Sequence, residues 1–197
     1  MRIFALVATV LMIASSAYAQ NADPPVFAAF KSFCIDTGAR PLAVKAAVEA
    51  AGGTQRDPSG LTAVPTMTVT LWDVAVGDRK MIVFAGTMRN PAAPPQVGDM
   101  IACNVNSPGS EDASIAAIRD WVGFPPSTSS PPRPPGVTMY EFQEDGSVRT
   151  PIADNAAERA AAIAKGVYWS LTLFQRPGVT QVLLLHMPAP TRSVPSP

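Results

Sequence analysis

His186 is the only histidine in the 197-residue chain, and that limits the available chemistry. A nucleophilic hydrolase needs a nucleophile, a base and a group that orients the base. His186 is the one imidazole that can serve as that base. It stands near the end of an apolar run, on the same side as Val182 and Leu184, where histidine more often packs than catalyses. No G-x-S-x-G elbow accompanies it. Asp73 is the acid of most interest, because it interrupts the apolar stretch Leu71-Trp72-Asp73-Val74. A carboxylate pair for glycoside chemistry stays open at that position. So does the blander reading, an edge position or a bulge that turns the acid to water. Metal chemistry lacks its signatures: there is no H-E-x-x-H, no paired-cysteine pattern and no D-x-D-x-D loop. Glu144-Asp145 beside Ser147 reads as a solvated hairpin turn. Ser107-Pro108-Gly109-Ser110 precedes a helix whose free N–H groups suit an anion, but Glu111 and Asp112 already occupy that positive end. No catalytic residue, metal or cofactor is assigned.

The aromatic residues point to binding rather than catalysis. Trp72, Trp121, Tyr140, Tyr168 and Trp169 could stack on a sugar or a partner, although aromatics dominate cores. Tyr140 and Tyr168 are expected to be half exposed. With Asp73 and His186 they form the candidate binding residues. The proline-rich stretch 125–135 suits recognition as polyproline II, or simply makes a stiff loop.

The cysteines are Cys34 and Cys103. Val26, Phe27, Phe30, Phe33 and Cys34 fall at helical spacing, with Lys31 and Asp36 off that face. Ile101, Cys103 and Val105 alternate with Ala102 and Asn104 as in a half-buried strand. Both sulfurs therefore point at one core, and a disulfide is expected. It would close a loop of about 70 residues, worth roughly 4 kcal/mol in the chain-entropy picture. Two free buried thiols are the alternative. No C-x-x-C spacing lowers a thiol pKa, and a thiolate metal site needs more than two ligands.

An oxidising compartment fits the start of the chain. Arg2 is followed by the apolar run Ile3–Ala14 and then by Ala17-Tyr18-Ala19, the three parts of a secretory signal peptide. The alternative is a membrane anchor, since the uncharged stretch is just long enough to span a bilayer. Cleavage after Ala19 would leave no further span. The expected address is the periplasm or the exterior. Net charge is zero and 15% of residues are charged, which gives none of the basic footprint of a nucleic-acid partner.

The supporting elements read as α-α-β-β-β-α-β-β-α-β-β. Helices are expected at Val26–Thr37, Pro41–Ala51, a segment capped by Ser110 and stopped by Gly123, and Ala156–Lys165. Asn155 and Glu158 resemble a capping box for the last. Strands are expected at Thr66–Val76, Lys80–Ala85, Asp99–Val105, Val137–Phe142, Ser147–Thr150, Val167–Gln175 and Val179–Met187. Thr54–Pro65 reads as a loop. The alternation in the first strand slips at Trp72, which suggests a bulge there or a strand covered on both faces. Adjacent strand pairs favour an α+β fold: an antiparallel sheet of about six or seven strands with about four helices, mostly on one face. One domain is expected over residues 20–187, with a proline-rich surface loop at 124–136 and a disordered tail at 188–197.

The opening Phe30-Lys31-Ser32-Phe33-Cys34-Ile35-Asp36-Thr37, the alanine-rich Ala43–Gly52 and the later Cys103-Asn104-Val105 resemble small uncharacterised exported proteins of Gram-negative bacteria. Those share the F-x-x-x-C opening and the cysteine pair. The resemblance implies export and a periplasmic address, and no activity. The expected function is non-catalytic binding of a partner protein or small-molecule ligand. A hydrolase using His186 or a carboxylate such as Asp73 is the alternative, and an envelope structural protein is another.

Overall fold

A computed structural model describes residues 23–57, 67–89, 99–128 and 133–189. The segment read as a signal peptide and nearly all of the C-terminal tail lie outside the described residues.

Eight antiparallel strands form one sheet: β1 (Thr54–Arg56), β2 (Met67–Val76), β3 (Arg79–Met88), β4 (Met100–Pro108), β5 (Val137–Asp145), β6 (Val148–Pro151), β7 (Tyr168–Arg176) and β8 (Val179–Met187). Their order is β1-β2-β3-β4-β8-β7-β5-β6. The α+β class with an antiparallel sheet is as expected, but the strand count is higher. The additional strand is β1, read from sequence as loop because Thr54-Gln55-Arg56 carries no apolar alternation. It forms at the edge, opposite Leu71–Asp73.

Three tight turns come from local chemistry. Gly77 and Asp78 join β2 to β3, Gly146 and Ser147 join β5 to β6, and Pro177 and Gly178 join β7 to β8. All three glycines have positive φ, which a side chain would oppose. The suggested bulge in β2 is absent. Its pairing with β3 runs unbroken from Met67↔Met88 to Val76↔Arg79. The alternation slips because both faces of β2 carry apolar groups. Trp72 and Val74 are buried on the helix side, while Met67, Val69 and Leu71 are half-buried on the other.

The helices are α1 (Pro25–Phe30), α2 (Pro41–Ala50), α3 (Asp112–Val122) and α4 (Ala156–Lys165). Residues Lys31–Ile35 continue α1 as a π-helical turn, where an uninterrupted α-helix to Thr37 was expected. The Asp36 N–H donates to the Lys31 carbonyl at 2.9 Å. Phe33 and Cys34 are both buried in this turn. At α3 the cap is Glu111, not Ser110. The Ser110 hydroxyl donates to Asp112 instead, at 3.0 Å. The Asn155 cap of α4 is as read: its side chain accepts from the Glu158 N–H at 2.8 Å. Leu42 of α2 is 83% exposed, so α2 buries a narrower stripe than its composition suggests.

The main core lies between one sheet face and α1, the π turn, α2 and α3. Val26, Phe30, Val44, Val48, Ile115 and Ile118 pack there against Trp72, Val83, Val105, Leu171, Leu173 and Val182. Cys34 and Cys103 form a disulfide across this core, with Cα atoms 5.5 Å apart and a sequence separation of 69. The fourth helix, α4, lies on the opposite face, where Ala162 packs with Tyr168 and Ile152 in a smaller cluster.

Candidate functional site

A charged network joins α4 to the sheet. Glu141 lies on β5 with its side chain on the α4 face, and only 4% of the residue is exposed. Burying a lone carboxylate is costly, so partners must compensate it. Arg159, near the start of α4, donates from Nε and Nη2 to its two oxygens at 2.7 and 2.9 Å. The Tyr168 hydroxyl donates to Oε1 at 2.6 Å. Burial pushes the Glu141 carboxyl up, but the hydrogen bonds from Arg159 and Tyr168 and the positive charges of Arg159 and Arg133 outweigh it. Glu141 is held below its ordinary range. Tyr168 is pushed strongly the other way, by burial and by its bond to the carboxylate. It remains a neutral donor. Asp154 lies 3.6 Å from the outer side of Arg159.

Beside this network the proline-rich loop returns to the edge of β5. The Ser127 N–H donates to the Met139 carbonyl at 2.8 Å. Its hydroxyl accepts from the Glu141 N–H at 2.9 Å, and Arg133 Nη1 donates to its carbonyl at 2.7 Å. Thr128 donates to Asp154 at 3.2 Å. These contacts border a shallow, open hollow of about 370 Å3, lined by Pro126, Ser127, Thr128, Arg133 and Val137–Met139. That size suits a small ligand. Apolar walls, two threonine hydroxyls and one guanidinium meet there. Among the described residues Arg133 makes no ion pair within 4 Å, and its charge acts on Glu141 from a distance. A second hollow of similar volume lies under the β5–β6 turn. It holds Asp145 and Lys165, one charge of each sign.

The residues singled out from sequence are not brought together. Asp73 faces β1, where Arg56 donates to both its oxygens at 2.9 and 2.6 Å. Both side chains of that pair are close to half exposed. His186 lies on the helix side of β8 and stacks on Trp169 of β7, ring centroids 4.0 Å apart. Its Nδ1 is 3.2 Å from the Tyr168 carbonyl oxygen. Burial lowers its pKa, against the pull of that carbonyl. Among the described residues no hydroxyl or carboxylate bonds to its ring.

Tyr140 and Tyr168 are buried, at 1% and 5% exposure, and not half exposed as expected. Tyr140 faces the main core, edge-on to Phe124, and burial raises its pKa despite Arg119 nearby. Tyr168 is covered by α4. Sequence reasoning passed over Glu141, Arg159 and Arg133. A signal for the first was present in Tyr140-Glu141-Phe142, an acid inside an apolar strand as at Asp73. Its partners are remote in sequence.

Among the described residues no three potential metal ligands cluster, and no helix is long and apolar enough to cross a membrane. Comparison with protein-family models, with curated proteins and with solved structures gives no match to the chain.

Proposed function

We propose that the protein is an exported, non-catalytic binding domain that holds a small anionic ligand against Arg133. The observation that carries this reading is the open loop–strand hollow, whose guanidinium makes no ion pair within 4 Å among the described residues and feels Glu141 only from a distance. Arg133 keeps N–H groups beyond the one given to Ser127, and a guanidinium matches carboxylate or phosphate as a fork. The network of Glu141, Arg159 and Tyr168 behind the cavity fixes its floor through Ser127. Ligand sites work best when their walls are held rigid. The signal-like opening, the disulfide and the resemblance to exported Gram-negative proteins support a periplasmic or secreted address. Among the described residues no hydroxyl or carboxylate bonds to the His186 ring and Asp73 is paired with Arg56, which favours the binding reading.

Isothermal titration of the oxidised protein with small carboxylates and with inorganic phosphate tests the reading. Saturable binding of at least one is expected. A charge-assisted bond contributes about 1.5–3 kcal/mol, so Arg133→Ala should weaken binding about 10- to 100-fold. Absence of binding, or equal binding by the variant, overturns it.

A further inference from the structure

We infer that the hollow under the β5–β6 turn takes a zwitterionic α-amino acid with an aliphatic side chain. This hollow, about 370 Å3, is less open to solvent than the one at Arg133, and the two share no lining residue. Its floor comes from strand pairing. Gln143 lies opposite Thr150 and Asp145 opposite Val148, and cross-strand partners share a face. Alternation puts them on the side of Glu141, toward α4. The intervening Glu144 and Arg149 point the other way, where Arg149 lies over the Trp121 ring. The wall comes from the end of α4, with Lys165 and Val167. Gly166 closes that helix in a left-handed conformation. The Val167 N–H donates to the Ala162 carbonyl at 3.1 Å, and the Glu144 N–H donates to the Val167 carbonyl at 3.1 Å. Those bonds fix the backbone of the wall relative to the floor.

Charge decides the ligand class. Asp145 and Lys165 line the same hollow, yet among the described residues neither makes an ion pair within 4 Å or a side-chain hydrogen bond. A lone anion drawn to Lys165 meets the charge of Asp145, and a lone cation drawn to Asp145 meets that of Lys165. A neutral molecule engages neither charge. A molecule that carries both an ammonium and a carboxylate is attracted at both ends. Gln143 and Thr150 add an amide and a hydroxyl, which can donate to a carboxylate or accept from an ammonium. The rest of the lining is aliphatic. Val148 is 64% exposed, and with Val167 it offers apolar surface to an aliphatic side chain, which gains by leaving water.

Exposure sets the strength. Asp145, Val148, Thr150 and Lys165 are all exposed, so water reduces each charge contact to that of a surface ion pair. A ligand of about ten heavy atoms held this way binds with a dissociation constant of about 1 mM. The signature of the site is therefore selectivity: both charges of the ligand must be present.

Amide NMR of the oxidised protein titrated with L-leucine up to about 20 mM, well above that constant, tests this. Saturable shifts are expected at Gly146, Val148, Thr150, Gly166 and Val167. Leucinamide, which lacks the carboxylate, and 4-methylpentanoate, which lacks the ammonium, should each bind there at least about fivefold more weakly. Asp145→Asn and Lys165→Gln should each weaken leucine by a similar factor, and circular dichroism checks both folds. No saturable shift at those amides overturns the inference. So does either truncated analogue binding there as tightly as leucine, or leucine binding that neither folded variant weakens. Shifts confined to Ser127 and Thr128 place leucine at Arg133 and equally overturn it, while leaving the anion reading intact. Different amides report the two hollows, so the failure of one reading is distinguishable from the failure of the other.

Discussion

Two regions attach helices to the same sheet by opposite means. On one face α1 and its π turn are joined to β4 by a covalent bond inside an apolar core. On the other, α4 buries Ala162 as its one fully covered apolar side chain and relies on Arg159 gripping Glu141. The first attachment is indifferent to pH and open to reductant. The second is indifferent to reductant and open to acid. The difference follows from composition. Ala156–Lys165 is Ala-rich and offers little apolar area at about 25 cal/mol per Å2, so polar bonds must orient it. The helices of the main core bring phenylalanine, isoleucine and valine.

The strongest way to break this comparison is through the disulfide. Cys34→Ala should lower stability by about 2–5 kcal/mol, read as a lower melting temperature in the absence of reductant. The loss should leave amide protection in α4 relatively unchanged. Protection lost first in α4 would show that the two attachments are not independent.

Glu141→Gln sharpens the other side. It removes a charge that three donors were arranged to meet, and should cost about 1.5–3 kcal/mol. Hydrogen exchange should speed first in Ala156–Lys165. Acid should act alike on the wild type. Because the Glu141 pKa is lowered on folding, its contribution is complete above about pH 4.3 and is lost as pH falls through the lowered value. His186 adds an earlier slope in the same direction. Its folded pKa is also lowered, so protonation opposes folding once pH drops below about 6.5. His186→Asn should flatten that upper segment alone. A stability curve flat from neutrality down to pH 3 contradicts both assignments.

The smallest effect is expected at Asp73. Its pair with Arg56 has good geometry, yet both side chains are close to half exposed. Such a pair contributes below about 1 kcal/mol. Asp73→Asn should shift the denaturant midpoint slightly, and the shift should vanish in high salt. A loss matching that of Glu141→Gln would mean that burial is not what separates the two ion pairs.

What the sequence made legible was what is written locally. Helical spacing at Phe30, Phe33 and Cys34, and alternation around Cys103, point both sulfurs at one core, where the disulfide lies. Gly77-Asp78 and Arg176-Pro177-Gly178 marked their hairpins, and Asn155 marked the start of α4. What stayed hidden depends on remote neighbours. β1 has no pattern of its own and exists because β2 offers an edge. The π turn over Lys31–Ile35 has no local signature that separates it from the α-helix it continues. Tyr140 and Tyr168 looked amphipathic, and both are buried because Phe124 and α4 happen to cover them. Glu141 could not be understood without Arg159, eighteen residues on.

The place of β8 has a consequence for how the molecule folds. The last of the described strands occupies the centre of the sheet, between β4 and β7. Without residues 179–187, β1–β4 and β5–β7 would be two separate half-sheets, each with an unpaired inner edge. Such edges are where incompletely folded chains stick to one another. Cys34 and Cys103 both precede β8 in the chain, so the bond between them does not depend on that strand being in place. It ties α1 and its π turn to β4, the strand on which β8 closes. That closure is a long-range pairing of the kind that slows folding.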